Sequence, residues 1–506
     1  MSDKKLKCQF CSLQDDIYIN ELSSNDKKDA FCIDYDSTKS GVCARGHLMA
    51  KLYSHPNRIK EPLLSNERAS YGLAIESLSR MLDKNTAFLL GPSLTLEDAL
   101  SAIKFSKELG SDFVSLAIPE DETVSFLMNR FSFESFNDSN LVIIVGDVLS
   151  THPTISRYFL SFFKNENKSL VVIDNHETVT SGSADLFLQI LPGQVGAFIK
   201  ELVRYNNEEW SNLDKYRIDK SEIESFTDLM NDAKNPIILF SNNFGHFYQP
   251  ERIGYQAQKL AQSLGDSHNF AYLPIGSNSR GIYRLLRQND MKKLPETLKA
   301  IESGKVSKIV MLQTDITEAV PAIDLFNIES IIQSTLLPTA ITPYCHIVLP
   351  GLLLGEKKGT LLTLEEKLER LNPIKNKYNI LQENRIFSGM AGILNGITQK
   401  EIAEILKSYR QPPKKSGTFF AINKPVYIGF SEPFHHSDGS LTRSLLQNDT
   451  DKFKEKLSLK KAMDNPVITD FDQNDEKSII MTPVHIPEFR RLFTRKFEPG
   501  IMQMKG

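Results

Sequence analysis

The chain has 506 residues, 60 Lys and Arg against 63 Asp and Glu, a formal net charge of −3, and 41% hydrophobic residues. At roughly 150 residues per domain this length exceeds one core and predicts about three units. The balanced charge excludes a nucleic-acid surface built on basic excess, and no apolar run reaches the ~20 residues of a membrane-spanning helix. MSDKKLKCQF has no apolar signal core, so a cytoplasmic protein is expected, at most peripheral to a membrane through its partners.

Cysteine marks the first segment. Four of the five cysteines lie in the first 43 residues, as Cys8, Cys11, Cys32 and Cys43; the fifth is Cys345. In a thiol-reducing compartment such clustering favours a metal or iron–sulfur centre over disulfides, because soft thiolates converge from a short stretch. Zinc sites usually pair two short-spaced couples, and only Cys8 and Cys11 form one. The spacing favours iron–sulfur and leaves zinc open.

After the connector RIKEPLLSNERAS, the segment YGLAIESLSRMLDK carries apolar residues at helical spacing. Strands are predicted over 87–91, 113–118, 141–146, 170–174 and 186–191, with a helix over 95–109 closed by Gly110. The charged stretch NNEEWSNLDKYRIDKSE precedes a second series at 236–241, 270–274, 308–313, 330–334 and 346–350. Continuous apolar strands separated by helices predict parallel sheets buried on both faces. The expected fold class is α/β. A small N-terminal cluster domain (1–62) leads into two doubly wound parallel-sheet domains (63–210 and 211–395) and an irregular C-terminal extension (396–506). Residues 399–409 read as a helix before a QPPKKSG linker. The tail EFRRLFTRKFEPGIMQMKG is expected to lie across another part of the protein or a partner subunit, or to stay disordered.

The residues around the cysteines carry a family likeness. CQFCSLQDDIYI, GVCARGH and RIKEPLL resemble the [4Fe-4S] domain that opens the molybdopterin oxidoreductase superfamily. That superfamily includes formate dehydrogenases, the B subunit of formylmethanofuran dehydrogenase and the large iron–sulfur subunit of respiratory complex I. Cys8, Cys11 and Cys43 match its cysteines, while its third cysteine falls at Asp15. The resemblance makes Cys32 the substitute, with an Asp15 oxygen ligand or a three-cysteine site as alternatives.

Further blocks follow in the family's order. SNLVIIVGDVLSTHPTISRYF keeps Gly146, His152 and Pro153, and SLVVIDNHETVTSGSADLFLQILPG keeps Asp174, Thr178, Ala184, Asp185, Pro192 and Gly193. LPIGSNSRGI is similar to a third block, and HIVLPGLLLGEKKGTLLTLEEKLERLNP keeps Leu349, Pro350, Glu356, Lys357, Gly359 and Thr360. The resemblance implies strand-end loops that hold the guanosine arms of a bis-pterin molybdenum or tungsten cofactor. It marks Gly146, Asp174, Thr178, Asp185, Pro192, Gly193, Glu356 and Gly359 as a vestigial pterin or nucleotide crevice.

The departures matter as much. The stretch 119–140 contains no cysteine to ligate a catalytic metal, and the family's Gly-Ser-Asn-Pro turn has become Gly146-Asp147-Val148. Its Asp-Pro-Arg has become Asp174-Asn175-His176, which loses an anion-binding arginine. The family's Asn-Thr-Glu-Gly-Arg run has become Leu364-Glu365-Glu366. The C-terminal β-barrel module is not recognisable. The expected function is therefore an iron–sulfur electron-transfer subunit of a multi-subunit redox complex, complex I-like, on a scaffold without molybdenum. Its [4Fe-4S] cluster would be held by Cys8, Cys11, Cys32 and Cys43, and it would dock to other subunits of that complex. FHHSDGSLTRSLLQND adds a short likeness to the complex I subunit through Asp438, Leu441, Arg443 and Ser444. Two alternatives stand beside it. One is a formate dehydrogenase-like or formylmethanofuran dehydrogenase-like enzyme with molybdopterin guanine dinucleotide; the other is a zinc-stabilised assembly subunit. His47, His152, His176, His435, His436 and Lys357 read as ordinary loop residues, and Glu365 with Glu366 does not read as an acid/base pair.

Overall fold

Each predicted strand forms, within two residues of its expected bounds. The computed structural model describes residues 4–22, 30–38, 41–163, 167–191, 193–204, 216, 218–242, 250–264, 269–320, 323–393, 396–411, 467–469 and 479–481.

The chain opens with β1 (Lys4–Lys7), β2 (Asp16–Leu22), β3 (Ala30–Ile33) and α1 (Ala44–Tyr53). Next come β4 (Leu63–Leu64), β5 (Glu67–Arg68), α2 (Tyr71–Met81), β6 (Thr86–Leu90), α3 (Leu96–Glu108), β7 (Val114–Leu116) and α4 (Pro119–Val124). Residues 127–273 form α5 (Ser135–Asp138), β8 (Leu141–Val145), α6 (Val148–Thr151), α7 (Ser156–Phe163), β9 (Ser169–Asp174) and β10 (Leu186–Gln189). They continue through α8 (Val195–Arg204), α9 (Lys220–Asn231), β11 (Ile237–Ser241), α10 (Pro250–Ser263) and β12 (Asn269–Leu273). Then follow α11 (Ser279–Gln288), α12 (Leu294–Glu302), β13 (Lys308–Leu312), α13 (Ile316–Ala319), β14 (Ser330–Thr335) and β15 (Ile347–Pro350). The hairpin β16 (Thr360–Leu362) and β17 (Leu368–Arg370) precedes α14 (Glu383–Met390) and α15 (Gln399–Ser408).

Two sheets organise these elements. One has the order β5-β4-β15-β14-β13-β6-β7, with β15 through β7 parallel and β4 antiparallel to β15. The other is wholly parallel, in the order β10-β9-β8-β11-β12. The sequence's apolar runs explain why the first is covered on both faces. Phe88, Leu90, Val310 and Leu312 enter one apolar cluster, and their neighbours Ala87, Leu89, Ile309 and Met311 enter another. With period-two side chains, the two clusters lie on opposite faces. In α3, the Thr95 side chain accepts from Asp98 N–H and Asp98 reaches back to Thr95 N–H, which fixes its start.

The division into units differs from the serial domains expected at 63–210 and 211–395. Residues 1–126 and 274–412 form one compact unit, and 127–273 form most of another. The cause is pairing: β6, early in the chain, hydrogen-bonds along its length to β13. Sequence periodicity identifies strands but not the neighbours they choose. The expected extension beyond 411 lies mostly outside the described residues, apart from an antiparallel pair, Val467–Thr469 with Ile479–Met481.

Buried charge pins the first unit. Lys357 is fully buried, with its Nζ 3.2 Å from Asp98 Oδ2 on α3 and 3.0 Å from Glu383 Oε2 on α14. It is thus neither an exposed loop residue nor a free anion ligand. Phe387 of α14 packs edge-on to Phe88, with ring centroids 5.8 Å apart, beside the same helix pair. Replacing Lys357 by Met leaves two buried carboxylates without their cation. Chemical denaturation should show a loss of about 3–5 kcal/mol. A second test uses pH. The buried Glu122 carboxyl is pushed up to about 7 by burial, partly offset by Arg287 and Lys293. Its folded pKa lies above the ordinary 4.5, so the favourable neutral state is complete below that value and lost as pH rises through about 7. Glu122→Gln should therefore raise Tm over wild type more at about pH 8 than at about pH 5.

Candidate functional site

The cysteine segment folds as a tight hairpin. β1 pairs antiparallel with β2, Lys7 opposite Asp16, and the turn closes through Cys8 N–H to Asp15 O at 2.9 Å and Gln14 N–H to Cys11 O at 3.1 Å. Gln14 adopts φ 49°, in the left-handed region, and its amide donates to Ser277 O (2.6 Å) and Leu362 O (3.1 Å). Gln9 Oε1 accepts from Leu354 N–H at 3.1 Å. Leu6, Phe10, Ile17 and Leu52 join one apolar cluster with Leu336, Leu337 and Leu353. Those last three residues follow β14 and β15, so the hairpin sits at the carboxyl ends of the parallel strands, where such sheets place ligands.

Cys43 is the N-cap of α1, and its Sγ accepts from Gly46 N–H at 3.4 Å. A side chain at Gly46 would meet Ile17 Cδ1 and Cys43 Sγ within 4 Å, so this helix start abuts β2. Arg45 Nη1 donates to Phe10 O at 3.3 Å, linking the same turn to the Cys8–Cys11 loop. Burial raises the Cys8 thiol well above its ordinary value, and the nearby Cys11, Cys43 and Asp15 add to the rise. Burial likewise pushes Cys11 up to about 12, with Arg45 opposing and Asp15 and Cys43 reinforcing. Cys8 and Cys11 thus each feel Cys43 and Asp15 as neighbours.

Cys32 does not join them. It pairs across from Asn20 on β2, whereas Cys8 is level with Asp15. Five residues of strand separate the two levels, ~16 Å at the usual rise. The Cys32 thiol instead points to Asn20 O at 3.8 Å. The structure divides the four expected cysteines: an antiparallel partner one strand over carries Cys32 to the opposite end of the small sheet from Cys8. Cys345 is a buried core residue whose thiol donates to Ile341 O at 3.4 Å. Among the described residues, no three His, Cys, Asp or Glu side chains close on a single metal-ion position. Three thiols and a carboxylate are donor types that suit iron and zinc alike.

The expected crevice residues divide between the two units. In the wholly parallel sheet the chain order reverses between β8 and β11, which makes that strand-end gap the switch point. Gly146, with φ 94°, follows β8, and fully buried Asp174 ends β9. Thr178 Oγ1 accepts from Ser181 N–H at 3.2 Å and shapes the loop after β9. Gly193, with φ 80°, turns the chain after β10. Asp185 lies elsewhere: its carboxylate accepts from Leu170 N–H (2.7 Å) at the amino end of β9, a structural contact. Pro192 is outside the described residues.

Asp147, the acidic departure in the family's turn, occupies the turn after β8. It is 1% exposed, accepts from Ser150 N–H at 3.2 Å, and receives the Thr180 hydroxyl at 2.6 Å. The short helix start that would face a diphosphate is already capped by a carboxylate. An anionic cofactor arm does not fit beside it.

In the first unit, Glu356 is buried and paired with Arg58, and its Oε2 accepts from Leu353 N–H at 3.0 Å. Gly359 allows a close approach, since a Cβ there would come within 2.6 Å of Glu97 Oε2 and Thr95 Cβ. At the β6–β13 switch point a Cβ on Gly91 would meet Gln313 O at 2.1 Å, so the strand ends are in backbone contact. Glu366 holds φ 64° and pairs with Arg280 and Arg284, while Glu365 pairs with Lys367. His47 is exposed and stacks on Tyr35; His152 and His176 are buried, and His176 Nδ1 lies 3.6 Å from Asp174 Oδ1. His435, His436 and the likeness at Asp438, Leu441, Arg443 and Ser444 lie outside the described residues.

Residues 71–376, more than half of the chain, match the family model for molybdopterin oxidoreductase. The chain belongs to that family. Over 206 residues it is 24% identical to an F420-dependent formate dehydrogenase subunit alpha of Methanocaldococcus jannaschii, covering 37% of this chain and 30% of that one. Over 214 residues it is 27% identical to F420-dependent formate dehydrogenase 1 subunit alpha of Methanococcus maripaludis, covering 37% and 32%. The match thus spans about a third of the length of these curated relatives. Acetylene hydratase from Pelobacter acetylenicus superposes with a TM-score of 0.59 at 14% identity, over 80% of this chain and 69% of that one. At that identity the likeness shows the fold, mixed α/β with parallel sheets. Among the described residues no helix is long and apolar enough to cross a membrane.

Burial makes the metal-free thiols distinguishable. At about pH 8 a thiol with a pKa of about 12 is only ~10⁻⁴ thiolate. Iodoacetamide labelling followed by mass spectrometry should modify the half-buried Cys32 and Cys43 well before Cys8, Cys11 and Cys345.

Proposed function

We propose that the chain is an iron–sulfur electron-transfer subunit of a multi-subunit redox complex, with the molybdopterin-oxidoreductase fold serving as scaffold rather than as a molybdenum site. The observation that carries this reading is the pairing of two features. A group of buried thiols lies at the strand ends of one sheet, and a buried carboxylate, Asp147, lies at the switch point of the other. The thiols supply soft ligands to an iron–sulfur cluster, whose chemistry is one-electron transfer. Binding it would remove the protons that burial holds on Cys8 and Cys11, with the iron charge offsetting the cost of two buried thiolates. Asp147 opposes a diphosphate by like charge in a low-dielectric setting.

The protein residues have positional roles. Arg45 lends positive charge near Cys11, and Gly46 N–H donates to the Cys43 sulfur. Gln9 and Gln14 hold the hairpin to the body, so a cluster there would keep a fixed distance from the strand ends. A subunit role agrees with the relatives, which are themselves alpha subunits. Within that role, the absence of a metal-ligating cysteine over 119–140 favours a large-subunit type like that of complex I, docked to partner subunits on the cytoplasmic side of a membrane.

The second reading is a molybdenum or tungsten enzyme of the formate dehydrogenase type, which the aligned relatives favour. Metal analysis separates the two. Protein purified anaerobically from a host that makes the pterin cofactor should carry iron, absorb broadly near ~400 nm, and contain neither molybdenum nor tungsten. Stoichiometric molybdenum or tungsten with pterin fluorescence would establish the second reading. One zinc without iron would replace both with an assembly role.

A further inference from the structure

We infer that Asp15 is the fourth ligand of the cluster, and that Cys32, the remaining N-terminal cysteine, takes no part in it. The inference rests on the iron–sulfur reading above and concerns which of this chain's side chains complete the site.

Three observations converge on Asp15. It is level with Cys8 across the hairpin, held there by the 2.9 Å backbone hydrogen bond from Cys8 N–H. It is 7% exposed, and its charge is felt by both Cys8 and Cys11. Residues directly opposite on an antiparallel hairpin project their side chains to the same face, so Asp15 shares the face of Cys8. Cys32 fails on geometry. Its level on the small sheet is ~16 Å from that of Cys8, and closing that gap would require breaking the β2–β3 register.

The ligand type has a chemical consequence. Carboxylate oxygen is a harder and weaker donor to iron than thiolate, so an iron held by Asp15 would be lost more readily than one held by a cysteine. A thiolate in its place donates more electron density and stabilises the oxidised state.

Anaerobic reconstitution of the full chain, read by iron content, EPR and midpoint potential, tests the assignment. Wild type should hold about 4 iron per chain, and Cys32→Ser should hold as much, with an unchanged spectrum. Cys8→Ser should lose the cluster. Asp15→Ala should fall to about 3 iron and show the EPR signal of an oxidised three-iron cluster without added reductant. Asp15→Cys should restore the full complement with a lower midpoint potential than wild type. Complete loss in Asp15→Ala that Asp15→Cys restores also supports the assignment, because it rules out misfolding as the cause. If Asp15→Ala keeps full iron and an unaltered spectrum, or Cys32→Ser loses iron as Cys8→Ser does, the assignment is overturned while the iron–sulfur reading stands. A wild-type chain that takes up no iron overturns both.

Discussion

Two consecutive residues of opposite charge, Glu356 and Lys357, are both buried, and the first unit is organised around them. Glu356 turns toward Arg58, whose other contacts are Tyr53 O at 2.9 Å and Gly351 O at 3.5 Å. This pair ties the end of α1 to the loop leaving β15. Lys357 turns toward Asp98 and Glu383 and ties α3 to α14. Gln382 adds a bond to Asp98 Oδ1 at 2.8 Å, and Gln313 reaches Glu383 Oε1 at 2.6 Å. Buried charges of this kind add little net stability over well-packed apolar groups, but removing one partner is costly. They join the loop leaving β15 to α1, α3 and α14.

That arrangement sets where chemistry is available. The N-terminal hairpin lies against the loops after β14 and β15, so its thiols stand at the edge where parallel sheets receive ligands. The second sheet has its own switch point, and there the chain has placed Asp147 on the first turn of a short helix. A residue that caps a helix internally takes the position an external anion would use. The family's fold thus persists with one strand-end turn satisfied from within.

Much of this was legible in the sequence because it depends on local pattern. Apolar runs such as LVIIV and KIVML marked buried strands, and Gly110 marked the close of the helix expected over 95–109. The cysteine clustering set the N-terminal segment apart but did not reveal the hairpin that carries it. Other features had weak or misleading signals. Lys357 looked like an exposed loop lysine, since nothing local revealed Asp98 and Glu383, which lie far away in sequence. Asp185, kept in a family block, proved to hold the amino end of β9, away from the crevice. Glu366 sits in the left-handed region, a placement costing ~1 kcal/mol for a non-glycine residue, in contact with two arginines its neighbours do not predict.

The sequence alone determined the α/β class, the identity of the strands, the family likeness and the concentration of soft ligands near the N-terminus. Each follows from side-chain periodicity, capping chemistry or spacing over a few residues. Tertiary structure decided which strands became neighbours, and so split the chain at 126 and 274 rather than near 210. It also decided which of the clustered side chains meet. Cys32 and Asp15 were rivals in one dimension; the antiparallel register of β1, β2 and β3 separated them, because pairing fixes distance across strands while sequence fixes it only along them.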